Sequence, residues 1–218
     1  METIKTVAKK ATTKQNSPFY PVVKRSMDVA GAGLGLFFLA PFLLVLILVL
    51  KISNLRAPVF FKQERIGKNG SKFMMYKFRT MIPNAEEKLA ELLQYNEVEG
   101  ALFKMKRDPR VTKIGRFLRK TSIDELPQLM NVLKGEMSLV GPRPPLGREV
   151  ALYSKRDFAR LTVTPGCTGL WQVSGRSDVS FDEMVNLDLH YIRHANFALD
   201  CKIICKTFWV IIAPNSAY

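Results

Sequence analysis

The chain has 218 residues, with 33 Lys plus Arg against 19 Asp plus Glu and a formal net charge of +14, a length that suits one domain with an appendage rather than two folds. That surplus favours an anionic partner: nucleic acid, anionic lipid or a phosphorylated substrate. The three cysteines, Cys167, Cys201 and Cys205, form no CxxC pair, which argues against a zinc ribbon or a disulfide framework and for unpaired thiols in a reducing compartment.

Residues 1–18, with Lys5, Lys9, Lys10 and Lys14, show no apolar periodicity and read as a disordered basic tail. Residues 19–56 hold a membrane segment and its flanks. Val29–Leu50 has no charged or strongly polar residue, and as one helix it would reach about 33 Å. Pro41 lies just past its middle, where it removes a helical hydrogen bond and kinks or breaks the helix. Lys24 and Arg25 flank one end, Lys51 and Arg56 the other, and comparable positive flanks suit a segment that enters and leaves on the same face. A kinked single span competes with this, because neighbouring groups re-satisfy the backbone around a membrane proline. Both readings stand at this level.

Residues 57–218 form the body. Pro58-Val-Phe-Phe-Lys62 and Lys72–Phe78 predict two strands joined across Gly67-Lys-Asn-Gly70. Helices are predicted over 83–106, 125–134 (ended by Gly135), near 147–161 and over 180–194, with a short strand at 170–173. Gly141-Pro-Arg-Pro-Pro145 reads as a rigid turn. The run 200–213 alternates Lys202 and Lys206 with Ile203, Phe208 and Trp209; it predicts a helix lying in the membrane interface, or one packed on the core. The fold class is therefore α+β. His190 and His194 share a helix face but lack a third ligand, so a solvated face is the simpler account.

The chemistry concentrates around Asp124 and Glu125. From Lys104 to Lys120 there are eight Lys or Arg and one acid, so the pair follows directly on a basic field suited to phosphate. A carboxylate there can act as nucleophile or metal ligand. Ser122-Ile-Asp-Glu125 equally fits a capping box, with Ser122 capping a helix and Glu125 reaching back. Pro127 fits the first turn of such a helix poorly unless the start lies near Glu125.

The order of motifs resembles one family. Lys24-Arg-Ser-Met-Asp28, the Pro-containing apolar segment, Phe60-Phe-Lys-Gln-Glu-Arg-Ile-Gly67 and Tyr76-Lys-Phe-Arg-Thr-Met81 come first. Thr121-Ser-Ile-Asp-Glu-Leu-Pro-Gln-Leu129, Leu139-Val-Gly-Pro-Arg-Pro144 and Pro165-Gly-Cys-Thr-Gly-Leu-Trp-Gln-Val-Ser-Gly-Arg176 follow. Together they resemble the bacterial sugar transferases, monotopic polyprenyl-phosphate phosphoglycosyltransferases, and the last segment is similar to members that use UDP-glucose or UDP-galactose. The resemblance implies transfer of a sugar-1-phosphate from a UDP-sugar to undecaprenyl phosphate with release of UMP, and a requirement for Mg2+. It implies Asp124 as nucleophile, Glu125 beside it, and both as metal ligands. It also implies a re-entrant membrane helix bent at Ala40-Pro41, where many members carry Ser in place of Ala40, and a catalytic domain on the cytoplasmic face of the bacterial inner membrane. Arg119 and Arg143 map onto motif positions that would hold phosphate, with Lys77 and Arg79 as further candidates.

Partners expected on this reading are the UDP-sugar, undecaprenyl phosphate and membrane lipids, with no nucleic acid; a homodimer stays open, as does the identity of the sugar. The rival is a non-enzymatic basic module on the membrane surface. It accounts for the charge but gives no reason for Asp124-Glu125 beside Gly-Pro-Arg-Pro.

Overall fold

The computed structural model describes residues 18–95, 105, 107–175 and 179–212. The basic tail before Pro18, positions 96–104 and 106 of one predicted helix, Arg176 and the end from Ala213 lie outside them. Helix α1 (Tyr20–Ser53) has 34 residues, with Pro21 in its first turn, where no N–H is needed, and Pro41 inside. It continues through Ala40 as one helical element with Pro41 inside it. A proline deletes one rung of the ladder, and the flanking rungs hold the helix together.

Strands β1 (Phe60–Ile66) and β2 (Lys72–Phe78) pair antiparallel from Phe60 opposite Phe78 to Ile66 opposite Lys72. The predicted turn closes them, with Asn69 and Gly70 at φ 57 and 81. Helix α2 covers only Leu89–Leu92, tightening into a 3-10 turn to Tyr95, where a longer helix was predicted from residue 83. Asn84 at φ 59 takes its start out of helical geometry.

Helix α3 (Lys113–Lys120) opens on Thr112, whose hydroxyl accepts from Gly115 N. Helix α4 (Gln128–Lys134) ends on left-handed Gly135, as predicted. Strand β3 (Ser138–Val140) leads through the Gly-Pro-Arg-Pro turn to the short α5 (Gly147–Val150), and a 3-10 segment covers Asp157–Thr162 where a single helix was predicted. Strand β4 (Gly166–Thr168) pairs parallel with β3, Ser138 opposite Gly166. The predicted strand at 170–173 is turn instead. The pairing falls earlier because a Cβ at Gly166 would stand 2.1 Å from Gly141 N; only glycine lets those backbones meet. Helices α6 (Phe181–His194) and α7 (Phe197–Ile212) close the chain, α6 with a full capping box from Ser180 and Glu183.

Three apolar clusters hold the body together, and α1 enters each. Tyr20 packs on Val140, Val185, Leu189 and Ile203; Ala32 on Phe73, Met75, Val132 and Met137; Leu46 and Leu50 on Phe78 and Leu118. Each fully buried Leu or Phe contributes about 1.5–3 kcal/mol. Between the two ends Phe37 and Phe38 point outward, each 73% exposed.

Polar ties reinforce the N-terminal end of α1. The fully buried Asp200 of α7 accepts from Tyr20 Oη (2.8 Å) and Lys24 Nζ (3.0 Å), and Asp28 accepts from Ser138 Oγ (3.0 Å) and Leu139 N (2.8 Å). Arg25 donates to the last-turn carbonyls of α4, Val132 (2.7 Å) and Leu133 (2.8 Å), where a cation also suits the helix dipole. The charges read from sequence as membrane flanks thus serve, in Lys24 and Arg25, as internal clasps.

Candidate active site

Asp124 and Glu125 lie on a 3-10 turn, Ile123–Glu125, between α3 and α4. The capping box expected at Ser122 is not formed: Ser122 adopts φ 56, ψ 16 with no side-chain cap, whereas a capping residue needs extended geometry. Pro127 is the reason, since α4 starts only behind it. The tight turn leaves Asp124 7% exposed and the Glu125 side chain 39% exposed.

Lys77, from β2, sets its Nζ 2.6 Å from Glu125 Oε1. Arg119, in the last turn of α3, donates through Nε to Thr80 Oγ1 at 2.9 Å. Arg143 donates through Nη1 to Glu149 Oε2 at 3.2 Å, and buried Glu149 also accepts from Leu146 N at 3.0 Å. The guanidinium is therefore held by its own loop rather than free in solvent. Arg65, on β1, binds the Pro144 carbonyl at 2.9 Å and Gln63 Oε1 at 2.6 Å, fixing the same loop from behind. Burial, with the Arg143 charge adding to it, pulls Arg65 down to about 10.

The two acids are driven apart. Burial pushes Asp124 up to about 6 against the pull of Lys77, and the charge of Glu125 adds to the rise. Burial also opposes the charge on Glu125, but Lys77 outweighs it, helped by Arg143 and Arg65, and holds that carboxyl below its usual value. Adjacent acids pushed in opposite directions are a pattern that acid–base sites share. Cys167 is no competing nucleophile, for burial and then the Glu125 charge drive its thiol well up.

The pair opens on a cleft of about 2680 Å³ lined by Lys77, Arg119 and Arg143 on one side and by Gly31, Gly35 and Leu39 of α1 on another. An anionic centre and a membrane helix thus share one space. Arg79 also lines this cleft, but its Nη2 binds the Leu50 carbonyl at 3.1 Å and its Nη1 the Pro58 carbonyl. It clasps the end of α1 rather than pairing with the acids. Sequence reasoning passed over Arg65 and Glu149. The only signal for either was a charge inside otherwise structural motifs, which periodicity does not separate from solvated surface.

Among the described residues no group of three or more His, Cys, Asp and Glu gathers as a metal site. His190 and His194 stack with ring centroids 4.2 Å apart on an exposed face of α6, in line with the solvated reading. Two carboxylates remain as hard oxygen donors. That set fits Mg2+, which keeps several waters and takes one or two carboxylates together with substrate phosphates.

Comparison with known proteins places the chain among relatives of one kind. The chain is 46% identical over 197 residues to the galactosyl transferase CpsE of Streptococcus agalactiae, covering 90% of this chain and 43% of that protein. It is 42% identical over 209 residues to the undecaprenyl-phosphate galactose phosphotransferase of Salmonella typhimurium, 94% of this chain and 43% of that one. It is 39% identical over 226 residues to the exopolysaccharide production protein ExoY of Rhizobium meliloti, 96% of this chain and 100% of that one. The chain spans less than half of the first two relatives and the whole of the third. The family model for bacterial sugar transferases matches residues 19–214, and the chain belongs to that family.

Proposed function

We propose that the protein transfers a sugar-1-phosphate from a UDP-sugar, with UDP-glucose or UDP-galactose the first candidates, to undecaprenyl phosphate, in the first membrane step of exopolysaccharide, capsule or O-antigen synthesis. The observation that carries the reading is an acid pair, Asp124 buried and Glu125 partly exposed, in a field of fixed cations, opening on a cleft that α1 also lines. A carboxylate oxygen of Asp124 attacks the phosphorus that bears the sugar. The bond from that phosphorus to the bridging oxygen breaks, and UMP leaves with that oxygen. The lipid phosphate then attacks the phosphoryl-Asp124 at phosphorus and frees the carboxylate, giving ping-pong kinetics. Arg119 and Arg143 hold phosphate oxygens, and Lys77 keeps Glu125 charged and in place. Mg2+, bound by Asp124 and Glu125, would supply charge neutralisation on the diphosphate.

The way α1 is tied supports a location on one face of the membrane. A straight helix of this length reaches about 51 Å, and a spanning one would set its ends on opposite sides of a core about 30 Å thick. Here Lys24 and Asp28 at one end, and Leu46 and Leu50 at the other, all bind the same body. That supports a segment which dips into one leaflet and returns, its exposed Phe37 and Phe38 leading. The outward Phe208 and Trp209 of α7, 63% and 69% exposed, would rest at the headgroups.

Membranes carrying the protein, given a UDP-sugar, undecaprenyl phosphate and Mg2+, are expected to release UMP. Without the lipid acceptor they should give a burst of about one UMP per protein. Asp124→Asn should lower turnover at least ~1000-fold; normal turnover in a folded variant would falsify the nucleophile assignment.

A further inference from the structure

Behind Glu125 the cleft leads to a nook of about 70 Å³, lined by Arg65, Lys77, Gln128, Arg143 and Gln172 among others. Two buried polar atoms of its lining residues lack a partner, Arg65 Nε and Gln172 Oε1. Arg65 is 6% exposed, and its two terminal nitrogens are already committed to Pro144 and Gln63. The Gln172 amide is oriented by its Nε2, which donates to the Cys167 carbonyl at 3.2 Å. Turning it over would set two oxygens against each other, so Oε1 is fixed as an acceptor. A Cβ at Gly169 would stand 2.8 Å from that oxygen, so glycine leaves it room.

A donor and an acceptor left over on two residues that line one small polar space match a group that is both, which is a hydroxyl. A phosphate oxygen could take the hydrogen of Arg65 Nε but has none to offer Gln172 Oε1, so the acceptor would stay unmatched. The Arg143 and Lys77 cations of the same lining are left for the neighbouring phosphate and for Glu125. The volume has room for a hydroxyl or hydroxymethyl arm. Glu125 and Lys77 line the nook, which places it beside the reacting phosphorus, where the transferred sugar must lie.

We propose that this nook is a sugar-hydroxyl subsite, in which Arg65 and Gln172 bind one hydroxyl of the transferred hexose and so help select the sugar. The proposal rests on the transferase reading above, but binding tests it without turnover. Calorimetry on the full chain with UDP, UDP-glucose, UDP-galactose and a set of monodeoxy UDP-hexoses should find one missing hydroxyl that weakens binding about 10-fold, a hydrogen bond's worth. Gln172→Leu should weaken the parent UDP-sugar by a similar factor, leave UDP unchanged, and no longer respond to that hydroxyl. If no deoxy analogue binds more weakly to the unaltered protein, the nook holds only water and the proposal fails. It also fails if Gln172→Leu weakens UDP in parallel, since the residue is then structural. Absence of UMP release from the unaltered protein would instead count against the transferase reading.

Discussion

Asp124 is asked to be buried and charged at once. Its carboxyl sits well above the usual range of about 3.9, at about 6, because burial disfavours the ionised form. At neutral pH it is therefore ionised by a narrow margin, and UMP release should fall as pH drops through about 6. The same shift has a stability cost of known sign. A carboxyl raised by folding stabilises the fold below its unfolded value, and that contribution is lost as pH rises through the folded value. Asp124→Asn should consequently melt above the unaltered protein at about pH 8, with the difference closing towards pH 4; an Asn variant that melts lower at pH 8 would show that Lys77 and Arg119 outweigh burial. Lys77, Arg119 and Arg143 entered as candidates through the family resemblance, as phosphate-holding cations. Arg79 was not separable from them, because its use depends on where the end of α1 comes to lie.

The elements meet at the active site by close backbone approach. In α3, a Cβ on Gly115 would stand 2.0 Å from the Thr80 carbonyl oxygen, and Thr80 also holds Arg119 through its hydroxyl. Gly115→Ala must push α3 away from the strand end. The expected loss is ~2 kcal/mol from overpacking, seen as a melting point ~4–8 °C lower, with reduced turnover because Arg119 moves as well. An alanine variant with unchanged melting would mean that α3 shifts freely. The hairpin, the end of α4 at Gly135 and helix α6 could be read from sequence, since turn glycines and apolar periods act locally. The β3–β4 pair could not. Its strands are three residues each, and the glycines that permit the pairing carry the same signature as turns. Ser122 misled for a related reason: a capping box is a local pattern, and Pro127 overrode it.

For the whole molecule, α1 behaves as part of the body at both ends and as a membrane element between them. With the three native cysteines replaced, single cysteines at Pro18 and Lys62 should react with an impermeant label from the same side of the membrane; labelling from opposite sides would end the re-entrant reading. The apolar segment was legible from composition alone, whereas its docking was not, because the groups that receive it lie far along the chain. Asp200 is 180 residues from Tyr20 and 176 from Lys24. At a synthesis rate of ~5–20 residues per second, the helix emerges roughly 10–40 s before the carboxylate that clasps it. During that interval its lysine and tyrosine lack that buried acceptor, although the residues that pack on Ala32, Leu46 and Leu50, from Phe73 to Met137, emerge earlier than it. The outward Phe37 and Phe38 stay free to meet the bilayer. Membrane contact would then precede completion of the fold, so a chain truncated before Asp200 should stay on the membrane with its N-terminal clasp unmade.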